Sequence, residues 1–182
     1  AAINNDGLIR SQGTFYWSTG SFAGTGRTES HNGMTIFSPE DKTIVDQTIH
    51  TLSGVRWLGG RIVASGDGLW SHSAGTFDLV VGQEFVSTLP YYLLITGTGA
   101  LSKSAGSASI FSGHVVVAEG GAKLESKFGD VILSGTSVFS GTLTTVGSTS
   151  RVIFTAGAHL LQSTSVATGT GEVRVESTAA VD

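Results

Sequence analysis

Apolar residues along this chain gather in short clusters: TFYW (14–17), MTIF (34–37), TFDLVV (76–81), SIF (109–111), HVVVA (114–118), DVIL (130–133), RVIF (151–154) and EVRVE (172–176). Most clusters are flanked by Gly, Ser or Thr. Val, Ile, Phe, Tyr, Trp and Thr dominate them, the residues that suit a pleated, half-buried surface. No window of eleven or more residues carries an apolar face at helical spacing. Glycine recurs so often that a long helix would lose about 1 kcal/mol at each occurrence. The pattern predicts an all-β chain.

Spacing selects the architecture. Val115, Ile132, Val152 and Val173 follow one another at 17, 20 and 21 residues. Leu124, Leu143 and Leu160 form a second series at 19 and 17, each just after Gly121, Gly141 or Gly157. Two interleaved series with one shared step predict a parallel β-helix (β-solenoid) with rungs of roughly 20 residues. Equivalent strands would stack about 4.8 Å apart, with glycine at the corners.

The first half fits the same step doubled. WSTGSFAGTG (17–26) returns as WLGGRIVASGDG (57–68), so that Trp17 and Trp57 lie forty residues, or two rungs, apart. Gly33 and Gly75 give a second pair at forty-two. The closing glycines shift by two between the Trp copies, which preserves the in/out alternation of a strand. Two stretches depart from the rhythm. SPEDKTIVDQT (38–48) collects charge and a proline and is expected to be a loop or lateral excursion. QEFVSTLPYYLLI (83–95), poor in glycine and rich in aromatics, is expected to be an edge cover, a longer strand pair or an interface.

INNDGLIRSQGTFYWSTGSFAGTG (3–26) and WLGGRIVASGDG (57–68) resemble the Gly/Ser/Thr-rich repeat of secreted bacterial surface proteins, the parallel β-helix passengers of adhesins and autotransporters. TGTGALSKSAGSASIF (96–111) and TGTGEVRV (168–175) are similar to the same unit without the Trp. The likeness covers most of the chain loosely and about a quarter of it closely. It implies a secreted or surface-exposed solenoid, a piece of something longer.

Composition narrows the function classes. The 182 residues suffice for one domain, 1–182. Only 13% are charged, about half the usual share. A net charge of -4, with ten scattered Lys and Arg, argues against a nucleic-acid partner. No apolar run approaches the roughly 20 residues that span a bilayer. Cysteine is absent, which removes disulfides, thiolate nucleophiles and Cys-based zinc sites.

Candidate chemistry is sparse. His31, His50, His72, His114 and His159 show no metal-ligand spacing, and neither a calcium loop nor a nucleophile elbow occurs. No cofactor or metal is expected. Asp67 in SGDGLW and Asp6 in NNDG could be exposed acids, although Asp-Gly is equally a turn dipeptide. Trp17 and Trp57 read as buried, one above the other. Tyr91 and Tyr92 beside Pro90, with Phe85 and Asp67, are the candidate ligand or partner contacts.

Together these features predict a non-enzymatic extracellular or cell-surface protein, structural or adhesive, that self-associates into a filament or oligomer or stacks on neighbouring repeats. A second reading is a carbohydrate-binding or carbohydrate-cleaving β-helix of the tailspike type. It would need exposed aromatics and at least two acids facing one groove.

Overall fold

A computed structural model describes residues 2–118 and 120–176 and the backbone of 179–181. The described chain is a parallel β-solenoid with three sheets, turns of about 22 residues and no helix. The first sheet stacks Ala2–Asn4, Gly20–Ala23, Lys42–Val45, Ile62–Ser65, Glu84–Ser87, Ser109–Phe111, Asp130–Leu133, Arg151–Phe154 and Glu172–Val175. The second stacks Leu8–Ser11, Arg27–Ser30, Thr48–Thr51, Leu69–His72, Tyr92–Ile95, His114–Val117, Thr136–Phe139, Gly157–Leu161 and Ala179–Val181. The third runs from Phe15–Trp17 through Met34–Ile36, Val55–Trp57, Thr76–Leu79, Ala100–Lys103, Lys123–Ser126 and Thr142–Thr145 to Val166–Gly169. Each turn, or rung, contributes one strand to each sheet, and every pairing is parallel.

Strands of three to five residues bury alternate side chains, so period two is the organising signal. In Thr142–Thr145, Leu143 and Thr145 point inward while Thr142 and Thr144 stay partly exposed. Inward residues of successive rungs line up in columns. Ile62, Phe85, Phe111, Leu133 and Phe154 form one such column in the first sheet, all nearly inaccessible. Each burial of this kind contributes about 1.5–3 kcal/mol.

The passage from the first sheet to the second demands glycine. Thr136 pairs with His114 and Ser137 with His159, which places Gly113, Gly135 and Gly157 on successive rungs. A Cβ on Gly135 would stand 2.0 Å from the Gly113 carbonyl oxygen, and one on Gly157 would stand 2.1 Å from that of Gly135. Only a hydrogen fits between backbones this close.

The sequence-derived repeats hold in part. Trp17 pairs with Ile36 and Ile36 with Trp57, so the two tryptophans share one column two rungs apart. Val152 pairs with Val173, and Leu124 with Leu143. Leu160, however, belongs to the second sheet, as does Val115, and Ile132 pairs with Ile153 rather than Val152. The Gly33–Gly75 equivalence is off by one, because Met34 lies over Val55 and Val55 over Phe77. Three sheets generate three interleaved series with corners of unequal length, so equal spacing alone mixes columns.

The lateral excursion and the edge cover are both corrected. Residues 38–48 are no excursion: Lys42–Val45 is an ordinary strand of the first sheet, with Ile44 in the core. Residues 83–95 are no edge cover either, since they supply the strands Glu84–Ser87 and Tyr92–Ile95 at the middle of their sheets. Their low glycine content reflects large inward side chains: Phe85, Tyr91, Leu93 and Ile95 are all buried.

Candidate functional site

The four sequence-derived contact residues do not converge. Phe85 and Tyr91 are interior, at 1% and 0% exposure, which removes them as surface contacts. Alternation turns Phe85 into the core, and Tyr91 is the buried residue just before the strand that carries Tyr92. Burial also pushes the Tyr91 hydroxyl well above the ordinary phenol range. Tyr92 is half-buried on the outer face of the second sheet, its ring 5.9 Å from that of His114. Asp67 is exposed, and its backbone N–H donates to Asp46 Oδ1 at 2.9 Å. That contact ties two corners together. Trp17, Trp57 and Trp70 are buried as well, so no tryptophan offers a sugar platform.

Two buried histidine–hydroxyl pairs lie in the second sheet. His72 Nδ1 is 2.9 Å from Thr51 Oγ1, and His159 Nδ1 is 2.7 Å from Ser137 Oγ. The opposite nitrogens face the carbonyls of Gly75 and Ala156 at 3.0 Å. A carbonyl only accepts, so Nε2 carries the proton and Nδ1 accepts from the hydroxyl. All four residues are essentially inaccessible, so neither hydroxyl can meet a substrate. Desolvation holds both imidazoles below their ordinary pKa. Among the described residues, no group of three or more His, Asp or Glu side chains could hold a metal ion.

An ion network occupies the outer face of the early rungs. Glu29 accepts from Arg10 at 2.8 Å, Arg27 at 2.7 Å and His31 at 3.2 Å. The hydrogen bonds from Arg10 and His31, with the charge of Arg27, hold its carboxyl at about 2 despite partial desolvation.

A concavity lies where the third sheet returns to the first. Four successive corners there contain five, four, four and five residues: 37–41, 58–61, 80–83 and 104–108. Two short corners between two longer ones make a saddle. The result is an open groove of about 770 Å³ whose two walls stand three rungs apart along the stack. Ser38, Pro39 and Asp41 form one wall and Ser107 and Ala108 the other, with Gly59, Gly60 and Gly82 in the floor. Gly60 is required at its position, because its φ is +77° and a Cβ would lie 2.3 Å from the Glu40 carbonyl oxygen. Arg61 spans the groove side, donating to Asp41 Oδ2 through Nη2 at 2.7 Å and Nε at 3.2 Å.

Two lysines that sequence reasoning missed underpin this groove. Lys42 and Lys103 stand in inward columns, in register with Ile62 and with Leu79, and both are fully buried. Lys42 Nζ reaches the carbonyls of Glu40 at 2.7 Å, Ser38 at 3.1 Å and Gly59 at 3.5 Å. Lys103 Nζ reaches those of Val81 and Leu79 at 3.2 and 3.3 Å. Burial lowers both pKa values, opposed for Lys42 by Glu40 and Asp41 and for Lys103 by Asp78. Gln83 Nε2 donates to the Trp57 carbonyl, and Trp57 Nε1 to those of Gly59 and Gly60. The corner carbonyls are thus consumed from inside by buried side chains.

Comparison with protein-family models, curated proteins and solved structures finds no match. Among the described residues no helix is long and apolar enough to cross a membrane.

Proposed function

We propose that this chain is a non-enzymatic structural or adhesive solenoid of the extracellular or cell-surface space, and that copies of it stack end to end. The observation that carries this reading is the uniform stack itself, whose inward columns, such as Ile62, Phe85, Phe111, Leu133 and Phe154, run unbroken from rung to rung. Ile3 continues the column of buried Phe22 yet is 38% exposed. Val173 and Val175 continue those of buried Val152 and Phe154 and are 38% and 51% exposed.

Burying the exposed valines against a second copy would recover the apolar contribution that each interior rung already makes. The low charge of the surface favours close approach of copies, and the likeness of the Trp-Gly segments to surface-protein repeats supports the location.

Nine strands spaced about 4.8 Å make each chain roughly 40 Å long. Negative-stain imaging of concentrated protein tests the reading. Rods that lengthen in steps of roughly one chain support it, and isolated single-chain particles at every concentration reject it.

A further inference from the structure

We propose that Arg10, Arg27 and His50, gathered over the buried carboxylate of Glu29 on the outer face of the second sheet, form a site for a single oxyanion. The ligand is a carboxylate or sulfate group, free or carried on a sugar. This goes beyond the scaffold reading and does not depend on end-to-end stacking.

The sequence scatters these residues, and the stack collects them. Arg10 pairs with Glu29 and Glu29 with His50, so the three stand in one row on successive rungs. Arg27 lies two residues before Glu29 on the same strand and shares its face. Arg10 Nε and Arg27 Nη2 stand 2.8 and 2.7 Å from different oxygens of the one carboxylate, which brings the two guanidinium groups close together. The Glu29 side chain is 8% exposed, whereas those of Arg10 and Arg27 are 50% and 47% exposed. Solvent therefore meets the cations rather than the acid that holds them. One carboxylate against two guanidinium groups also leaves a positive charge over.

Hydrogen bonding sets the polarity of the ligand. Glu29 Oε1 faces Arg27, and Oε2 faces Arg10 and His31. Arg27 Nη2 is 3.0 Å from His50 Nδ1. A guanidinium only donates, so Nδ1 accepts and the His50 proton sits on Nε2. Burial and the Arg27 charge lower the His50 pKa, which favours that neutral ring. Among the described residues, Nη1 and Nη2 of Arg10, Nε and Nη1 of Arg27 and Nε2 of His50 donate to no protein acceptor. With the carboxylate already engaged and these donors left over, the complementary ligand is an acceptor. Guanidinium forks suit the oxygens of carboxylate and sulfate groups.

Neighbouring acids set its size. Asp6 and Asp46 stand at the corners that precede the strands on either side of Arg27, accepting from the backbone N–H groups of Thr25 and Asp67. A run of phosphates would meet both acids and would need more clustered cations. One oxyanion seated over the two arginines meets neither.

Nitrogen-15 NMR titrations with sodium sulfate, acetate, glucuronate and glucose, at an ionic strength held constant with sodium chloride, test the proposal. We expect sulfate or a carboxylate to shift amides confined to 8–11, 27–31 and 48–51 at millimolar concentration, and glucose to shift none. Glucuronate binding more tightly than acetate identifies a sugar-borne group, and equal binding identifies the free oxyanion. Arg10→Gln and Arg27→Gln are each expected to weaken binding by about tenfold or more, the scale of a lost hydrogen bond to a charged group. Both side chains are half exposed, so neither variant should unfold the chain. Lys123→Gln, which removes an exposed cation from the third sheet, should leave binding unchanged. The proposal is overturned if no oxyanion shifts these amides or if glucose shifts them equally. It is also overturned if Lys123→Gln weakens binding as much as Arg27→Gln, because the anions then follow surface charge and no site.

Discussion

Trp17 and Trp57 stand in one column of the third sheet with Ile36 between them. The Trp57 indole is fully buried, 6.3 Å from the Phe77 ring, and its N–H is shared by the Gly59 and Gly60 carbonyls. Trp17, nearer the end of the stack, packs edge-on against Phe22 at 4.8 Å. One column position repeated two turns apart accounts for the repeated Trp-Gly segment.

Position in the stack should set the cost of losing each ring. Trp57→Ala is expected to destabilise by about 3–5 kcal/mol, since rungs on both sides hold the cavity open. Trp17→Ala should cost less, because an end rung collapses more easily. Urea unfolding of the two variants measures the difference, and equal costs would contradict the graded stack.

The glycine column makes a second prediction. Gly135→Ala must push apart the backbones of adjacent rungs and should destabilise by roughly 1–3 kcal/mol. Gly13→Ala is the control, because nothing lies within 4 Å of its Cβ position. It should be neutral or slightly stabilising. Thermal midpoints of the two variants provide the check.

Buried neutral histidines predict acid sensitivity. The folded pKa values of His72 and His159 lie below the ordinary 6.5, chiefly through burial. The unfolded chain therefore binds more protons as pH falls, so their stabilising contribution is complete above about 6.5 and is lost as pH drops toward the folded values. His50 and His114 shift in the same direction. Thermal midpoints should fall between pH 7 and 5, and replacing both His72 and His159 by Gln should flatten that slope. An unchanged slope would contradict the assignment.

Glu29 adds a lower acid limb. Its carboxyl titrates near 2 in the fold against an ordinary 4.5, so its contribution is present above 4.5 and is lost as pH falls toward 2. Carboxyl NMR should show it ionised at pH 3.5, and Arg10→Ala should raise its pKa. An ordinary value in the intact protein would remove the network from the account.

The rung step was legible because it rests on period-two alternation and corner glycines. Trp17 with Trp57, and Leu124 with Leu143, mark true columns for that reason. Leu160 misled because a Gly-flanked leucine looks the same in any of three sheets. Lys42 and Lys103 were illegible as interior residues, since a lone cation in a short strand ordinarily faces water. Only the third dimension shows carbonyl-lined corners within reach of their ammonium groups. The groove was hidden for a related reason, being made by corner lengths of five, four, four and five rather than by any motif. Tyr91 looked exposed beside Pro90, whereas at its corner its ring fills the space that glycine leaves at Gly68 on the preceding rung.

End-to-end stacking is tested most directly by sedimentation velocity over a wide concentration range, comparing the native chain with the double variant Val173→Lys, Val175→Lys. The account predicts larger species that grow with concentration for the native chain and a monomer for the variant. A native chain that stays monomeric throughout, or a variant that associates equally well, would contradict it.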